Sequence, residues 1–328
     1  MRVVIAVIVL KKYKTTQPRK VGKKLLGWQR RCLHHKETDN RNGISKATKT
    51  MQKEGNKMSC VKLNTITCEA CGKTVVPKNT RQRFCSLECR NKQRTDAQEK
   101  ERLQRIKSFF KTLLYVDMQE TELSPLVVSH PFFESAFLCE PTTKKVFNAL
   151  EDKEAYISLL EGFKTRIESA TAVSELMMYI TKPYRLAVLK QLRELCLLSA
   201  RECGNELGKV FQSVELLSYG GVGKITLLSW FRKADKESLM DLEELAFYKA
   251  LPPLVTVYRG IKERKYLKGL SWSLDKETAT WFARRFGCGG FVCEAVVPKE
   301  SVLCYKKYED EVIVDYREIK IQSITWEE

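Results

Sequence analysis

The hydrophobic period of this 328-residue chain changes near residue 254, and that change restricts the fold more than any other feature. Residues 108–253 repeat apolar side chains every three or four positions, the spacing of an amphipathic helix. Residues 254–328 instead carry short runs rich in β-branched and aromatic residues. This order predicts an α+β fold, with a helical region followed by a mostly β domain.

The helical region has one especially clear stripe, which begins after Pro183. Proline is tolerated in a first helical turn because the missing N–H has no partner there. The stripe comprises Leu186, Leu189, Leu192, Leu195 and Cys196. Similar spacing recurs at 144–163, 172–181 and 236–250, and we interpret all of these stripes as core.

The C-terminal region contains β-rich runs at 254–258, 270–274, 291–297, 302–305, 311–316 and 319–326. A single helix is expected among them, over 276–286. Asp275 can cap its first turn and Gly287 can end it.

The positive charge belongs to the first third of the chain. Residues 1–107 contain 28 Lys and Arg against 8 Asp and Glu, whereas residues 108–328 contain 30 against 32. Residues 1–59 show no sustained hydrophobic period, so we expect a disordered basic arm. The charge suggests a polyanionic partner such as nucleic acid, and the alternative is a solvated arm that only confers solubility.

The longest apolar run, residues 3–10, is too short to span a bilayer, which takes roughly 20 residues. Lys11 and Lys12 follow it, rather than the small residues of a signal-peptide cleavage site. We therefore expect no membrane association and a cytoplasmic protein with reduced thiols.

Two close cysteine pairs lie in residues 60–92, at Cys68-x2-Cys71 and Cys85-x3-Cys89. Four thiolates in such pairs can occupy the corners of the tetrahedron that Zn²⁺ prefers. The spacing predicts a structural zinc module, with disulfides as the alternative. The second pair resembles the end of treble-clef-like and zinc-ribbon modules, whose last cysteines begin a helix. A charged helical linker is expected at 93–107.

Basic residues surround these cysteines, namely Lys73, Lys78, Arg81, Arg83, Arg90, Lys92 and Arg94. They could bind nucleic-acid phosphates. The alternative is a purely structural module that positions the remainder of the protein.

A glycine-rich stretch at 219–225 partly matches a phosphate-binding loop. Ser218 stands where the first glycine should be, and Ile225 replaces the hydroxyl residue that binds Mg²⁺. We interpret this stretch as a flexible linker between helices.

The chemistry-bearing residues of the β-rich region fall in three short segments. Arg259 follows a β-rich run and can grip a phosphate with two parallel hydrogen bonds. Ser271 and Ser273 alternate with Trp272, so their hydroxyls share one face of a strand. Glu309 and Glu311 are also two apart and precede an apolar strand. An arginine and two carboxylates suit cleavage of a glycosidic bond through a cation-like transition state.

This order of segments resembles the arginine–serine–glutamate class of mono-ADP-ribosyltransferases, as found in phage and prophage proteins. The family carries an arginine on a first strand, an S-T-S-type motif on a second and an E-x-E loop before a third. The resemblance covers about 60 residues, 255–315. The departure is Trp272, where the family usually has threonine, and we expect this side chain to point into the fold.

The resemblance implies roles for individual residues. Arg259, with Gly260 beside it, would bind the phosphates of the substrate NAD, and Glu311 would stabilise the oxocarbenium ion. Ser271 would orient Glu311, and Ser273 would support the same strand. Phe282 would lie near the nicotinamide, with Trp281 as the core-packing alternative.

Glu309 suggests arginine as the acceptor, since a guanidinium with a pKa above about 12 needs an adjacent base. We therefore expect an enzyme that transfers ADP-ribose from NAD to a protein arginine in the cytoplasm, including that of a phage host. One alternative is NAD glycohydrolysis. Another is a zinc-dependent nucleic-acid-binding protein whose ADP-ribosyltransferase-like domain is inactive.

Overall fold

The computed structural model describes residues 65–79, 81–121, 124–140, 143–213, 221–285, 287 and 289–328. The predicted basic arm at 1–59 lies outside the described residues. The described residues up to Lys100 belong to one compact unit, and those from Glu101 onward belong to another. Helices and strands are mixed in the manner of an α+β protein, as predicted.

The helices are α1 (Leu87–Leu113), α2 (Lys153–Ser169), α3 (Val173–Met178), α4 (Lys182–Glu194), α5 (Ala200–Gln212), α6 (Lys224–Lys233), α7 (Lys236–Leu239), α8 (Leu242–Ala250) and α9 (Lys276–Arg284). The predicted linker at 93–107 lies within α1. Helix α4 has Pro183 in its first turn, and Leu186, Leu189 and Leu192 are fully buried. The stripe is shorter than expected because α4 ends at Glu194, and Cys196 is exposed with a φ of 52°.

The short strands are β1 (Ile66–Thr67), β2 (Thr74–Val75), β3 (Gln119–Thr121), β4 (Ser124–Ser129), β5 (Phe137–Cys139) and β6 (Val146–Asn148). They form three antiparallel pairs, β1 with β2, β3 with β4 and β5 with β6. The last two pairs lie in the region that the sequence predicted to be helical. The helical spacing predicted at 144–163 is wrong for its first residues, because β6 occupies Val146–Asn148 and the helix begins at Lys153. The other strand runs are too brief to predict a sheet.

The main sheet contains β7 (Leu254–Ile261), β8 (Ser271–Ser273), β9 (Gly290–Pro298), β10 (Val302–Lys306), β11 (Glu311–Val314) and β12 (Lys320–Glu327). Their order across the sheet is β10-β11-β8-β7-β9-β12, and each neighbouring pair is antiparallel. Each predicted β-rich run forms one of these strands. The order places β7, β8 and β11, which carry the three predicted segments, side by side.

Helix α9 is set by local signals in the sequence and packs on the sheet. The carboxylate of Asp275 accepts hydrogen bonds from the backbone N–H groups of Glu277 and Thr278, which fixes the first turn. Gly287, with a φ of 77°, follows the last turn, as predicted. Ala279 and Ala283 form the buried face of α9 and pack with Val292.

No helix in the described ranges is long and apolar enough to cross a bilayer.

Candidate functional site

Arg259 lies half-buried on β7, and its guanidinium is held by the loop that leads to β8. Its Nε donates to the carbonyl oxygen of Tyr266 at 3.2 Å, and its Nη1 donates to the carbonyl oxygen of Ser271. A Cβ on Gly269 would overlap the guanidinium, so a side chain there would displace Arg259 from this position. The guanidinium of Arg259 is therefore held beside Ser271, the first residue of β8.

Glu311 opens β11 directly opposite Ser273 of β8. The hydroxyl of Ser271 acts on its carboxylate and favours the ionised form. Burial, together with the negative charge of Glu309, raises the pKa of Glu311 to about 7. The Ser271 hydroxyl and the positive charges of Arg259 and Lys306 act in the opposite direction. The structure thus brings Arg259, Ser271 and Glu311 together.

A pKa near 7 is unusually high for a glutamate carboxyl group. Shifts of this size occur mostly at functional sites, and networks of structural ion pairs also produce them. Half of such groups are ionised at neutral pH. A developing positive charge nearby would favour the ionised form, because opposite charges lower a carboxyl pKa. Glu311 can therefore stabilise a cationic centre.

Ser273 is buried, and both of its hydrogen bonds are to the backbone. Its hydroxyl donates to the carbonyl oxygen of Glu309 at 3.1 Å and accepts from the N–H of Asp275 at 3.0 Å. The side chain therefore ties the glutamate loop to the start of α9. This is a positioning role, and the predicted contact of Ser273 with a cofactor stays a prediction.

Glu309 ends a short 3-10 turn, Lys307–Glu309, and its side chain is exposed. Asp310 follows with a φ of 45°, and its carboxylate accepts a hydrogen bond from the hydroxyl of Tyr305 at 2.7 Å. The N–H of Leu274 donates to the carbonyl oxygen of Asp310 at 2.9 Å. Desolvation raises the pKa of Glu309, and the charge of Arg285 lowers it. A carboxylate held at the edge of the site is suited to accept a proton from an incoming group.

Gly260 allows α9 to approach the sheet closely. A Cβ at this position would collide with the carbonyl oxygen of Ala279 and lie 2.5 Å from the backbone nitrogen of Ala283. Helix packing therefore accounts for this glycine, and its predicted contact with the NAD phosphates stays a prediction.

Phe282 of α9 is half-buried, and its ring meets that of Trp281 edge to face, with centroids 4.9 Å apart. Trp281 is 57% exposed, so the alternative that it packs in the core is wrong. The buried face of α9 is formed by the small residues Ala279 and Ala283 instead. The guanidinium of Arg285 lies 6.0 Å from the centroid of Phe282 and interacts with Glu309. Arg285 was not among the site residues predicted from the sequence.

Trp272 stands where the family that the segment resembles usually has threonine. Its side chain points into the fold, as expected. It is 2% exposed, and its Nε1–H donates to the carbonyl oxygen of Gly269 at 3.1 Å. The larger side chain therefore supports the loop that holds Arg259 without entering the site.

Lys306 is a second residue that the sequence analysis missed. It lies opposite Glu311 in the β10–β11 pair, and its Nζ donates to Glu244 at 2.9 Å and to the carbonyl oxygen of Leu239 at 2.7 Å. Both Lys306 and Glu244 are buried. The sequence shows that Lys306 ends an apolar run, but it does not show that Glu311 lies opposite Lys306 on the neighbouring strand.

The four predicted metal ligands, Cys68, Cys71, Cys85 and Cys89, lie in the N-terminal unit. Their sulfur atoms all lie within 4.8 Å of one another. The Sγ atoms of Cys71 and Cys85 are 3.6 Å apart, and those of Cys85 and Cys89 are 3.3 Å apart. Thiolates at about 2.3 Å from a tetrahedral zinc ion would be about 3.8 Å apart. The cluster therefore fits a metal ion.

Local structure explains how the sulfurs meet. Gly72, with a φ of 70°, closes the turn after Cys71, and the N–H of Gly72 donates to the carbonyl oxygen of Cys68 at 2.8 Å. The second pair lies at the start of α1, where the hydroxyl of Ser86 accepts from the N–H of Cys89. None of the described cysteines forms a disulfide.

No family model matches the chain, and neither a curated protein nor a solved structure is significantly similar to it.

Proposed function

We propose that this protein is a mono-ADP-ribosyltransferase that transfers ADP-ribose from NAD to a protein arginine and releases nicotinamide. The observation that carries the proposal is that Glu311 opens β11 beside β8, where the Ser271 hydroxyl favours its ionised form and the Ser271 carbonyl oxygen holds the guanidinium of Arg259. Three residues predicted from separate segments meet in one place, which supports a common chemical role.

In this proposal each residue has a defined task. Arg259 binds the NAD phosphates through its guanidinium. Glu311 is ionised when it stabilises the positive charge that develops on the ribose as the bond to nicotinamide breaks. The electron pair of that bond leaves with nicotinamide, and an acceptor nitrogen then forms a bond to the same ribose carbon. Glu309 takes the proton that the acceptor releases. Phe282 lies on the helix that would flank the nicotinamide.

The test is transfer of labelled ADP-ribose from NAD to proteins of a cell lysate, with mass-spectrometric identification of the modified side chain. Wild-type protein should label arginine, and Glu311→Gln should label nothing. If the wild-type protein neither labels a protein nor releases nicotinamide, the enzymatic proposal is wrong. Release without labelling would favour the glycohydrolase alternative, in which water takes the acceptor's place.

Glu309→Gln separates transfer from cleavage. Loss of the base should lower arginine modification by about 10²–10⁴-fold, while nicotinamide release continues. Glu318→Gln, an exposed glutamate after β11, is the matched control and should leave both reactions unchanged. Equal loss of both reactions in Glu309→Gln would contradict the assigned role.

A second function, nucleic-acid binding by the metal module, is supported by its basic surface. The side chains of Lys73, Lys78, Arg81, Arg83, Arg90, Lys92 and Arg94 are all exposed. We propose that zinc orders this surface and that it binds phosphates. Retention on DNA or RNA that weakens with salt and is lost after chelation would support this function, whereas absent or salt-independent retention would oppose it.

A further inference from the structure

Helix α8 turns apolar side chains toward solvent. Leu242, Ala246 and Ala250 follow one another at four-residue spacing, so they share one face of the helix, and all three are exposed. Leu242 is 88% exposed, and Phe247 is exposed as well, whereas Leu245 is buried. The helix therefore packs on the core without using this stripe. A contiguous apolar stripe on the solvent side of a helix is typical of a surface that binds another molecule.

This stripe is joined to the loop 307–310, which leads into β11. The ring of Phe247 stacks on that of Tyr305, with centroids 4.2 Å apart. The hydroxyl of Tyr305 in turn donates to the carboxylate of Asp310 in the loop at 2.7 Å. The apolar face of α8 is therefore held against the segment that carries the proposed base.

The same loop adds a second exposed apolar group. Tyr308 is 87% exposed and directly precedes Glu309. On its other side, the Nζ of Lys307 donates to the carboxylate of Glu243 of α8 at 2.7 Å. Tyr308 thus lies between a residue bound to α8 and the proposed base, so exposed apolar groups extend from the helix to the edge of the candidate site.

This surface is negatively charged. Residues 241–243 and 307–310 contain one lysine and four carboxylates, which are Asp241, Glu243, Glu309 and Asp310. Arg285, at the end of α9, acts on Glu309, which leaves four negative charges against two positive ones. A surface of this sign attracts cationic partners and helps to orient them.

We propose that α8 and the loop 307–310 form the docking surface of a protein acceptor, and that this acceptor carries apolar and basic side chains around the arginine that is modified. The transfer itself rests on the proposed function. Apolar side chains of the acceptor cover Leu242, Phe247 and Tyr308, and its basic side chains pair with the carboxylates. The acceptor arginine then reaches Glu309. Selection of the acceptor thus resides largely in residues that take no part in the cleavage of NAD.

The test is the binding of two fluorescent peptides to the full-length protein without NAD, measured by fluorescence anisotropy. One peptide has a single arginine among leucines and lysines, and the other has glutamate in place of each lysine. The lysine peptide should bind, less tightly as salt increases, and the glutamate peptide should bind much more weakly. Leu242→Ser and Tyr308→Ser should each lower the affinity for the lysine peptide about tenfold, because each removes an apolar group that the peptide buries.

Met178→Ser is the matched control, because Met178 is a strongly exposed apolar residue on another helix, α3. It should bind the lysine peptide as the wild type does. Equal affinity of all three variants would overturn the inference, as would wild-type protein that binds neither peptide or binds both equally. The midpoint of thermal unfolding of each variant shows whether a loss of affinity arises from misfolding.

Sedimentation velocity of the wild type and Leu242→Ser tests for a different occupant, a second copy of this chain. The two proteins should sediment alike. If the wild type dimerises and Leu242→Ser does not, the surface binds another copy and the inference is wrong.

The outcomes also separate this inference from the proposed function. If the lysine peptide binds through Leu242 and Tyr308 but no nicotinamide is released from NAD, the surface binds basic apolar segments and the transferase proposal is wrong. If release and arginine labelling depend on Glu311, whereas neither Leu242→Ser nor Tyr308→Ser changes the affinity or the KM for the peptide, the transferase proposal stands and the docking surface is wrong.

Discussion

Ser273 lies directly opposite Glu311 in the β8–β11 pair, but it is the hydroxyl of Ser271 that lowers the pKa of the Glu311 carboxyl. The two serines have therefore divided their tasks. Ser271 acts on the proposed catalytic carboxylate, and Ser273 holds the loop that carries Glu309.

The pH dependence of nicotinamide release should follow the ionisation of Glu311. Because burial raises its pKa to about 7, release should increase as the pH rises through about 7 and level off above it. Ser271→Ala removes the hydroxyl that favours the ionised form of Glu311, so the midpoint should move to higher pH. The measurement is the rate of release against pH.

Ser323→Ala on β12, whose side chain is exposed, is the control and should keep the wild-type midpoint. If Ser271→Ala and Ser323→Ala share one midpoint, Ser271 does not tune Glu311.

The buried ion pair of Lys306 and Glu244 should contribute strongly to stability. Lys306→Met leaves a buried carboxylate without its partner, which costs about 3–5 kcal/mol in the free energy of unfolding. Denaturant titration measures this cost. The double variant Lys306→Met, Glu244→Met should lose less than the sum of the two single losses.

Lys307→Met provides the comparison, because the neighbouring Lys307 forms an exposed pair with Glu243 at 2.7 Å. That change should cost at most about 1 kcal/mol. Similar losses for Lys306→Met and Lys307→Met would show that burial of the first pair has no energetic consequence.

His130 should make the fold less stable in mild acid. It is buried, its ring stacks on Phe133 at 4.8 Å, and burial lowers its pKa to about 4. The unfolded chain, with a histidine pKa of about 6.5, binds a proton between these values that the folded chain does not. Stability should therefore fall as the pH decreases from about 6.5 to about 4, by about 3 kcal/mol.

Unfolding free energies of wild type and His130→Phe over this pH range test the prediction. The unfolding free energy of His130→Phe should lack the decrease that the histidine causes between about pH 6.5 and about pH 4, whatever its value at neutral pH. An unchanged slope would mean that His130 does not cause the loss.

The cysteine cluster should hold one metal ion per chain. Cys68→Ser removes a buried ligand and should abolish stoichiometric zinc, because three thiolates hold a structural ion poorly. Cys139→Ser changes an exposed cysteine outside the cluster and should retain the metal. Metal analysis of the purified proteins measures both. Equal zinc content in the two variants would contradict the assignment.

The strands of the main sheet were predictable because each is a short apolar run, and the apolar pattern is interrupted on both sides of it. The caps of α9 were equally local, since Asp275 and Gly287 act within one turn of the helix ends. The meeting of Arg259, Ser271 and Glu311 was predicted through a family resemblance. Periodicity alone does not give the order of strands in a sheet.

Features that depend on contacts between distant residues were not predictable in this way. The position of Lys306 opposite Glu311, for example, depends on the register of β10 and β11. The exposure of Trp281 also escaped prediction, because the alanines on either side, Ala279 and Ala283, are small enough to let α9 lie close to Gly260. The pairs β3–β4 and β5–β6 were missed because two or three paired residues leave no clear period.

The most direct test of the proposed chemistry is nicotinamide release from NAD by the purified full-length protein, compared with Glu311→Gln at pH 8. Wild-type protein should release nicotinamide steadily, and the variant, whose fold should be unchanged by this isosteric replacement, should release none above the uncatalysed rate. Equal release by the two proteins, or none by the wild type with an arginine-containing acceptor present, would contradict the account.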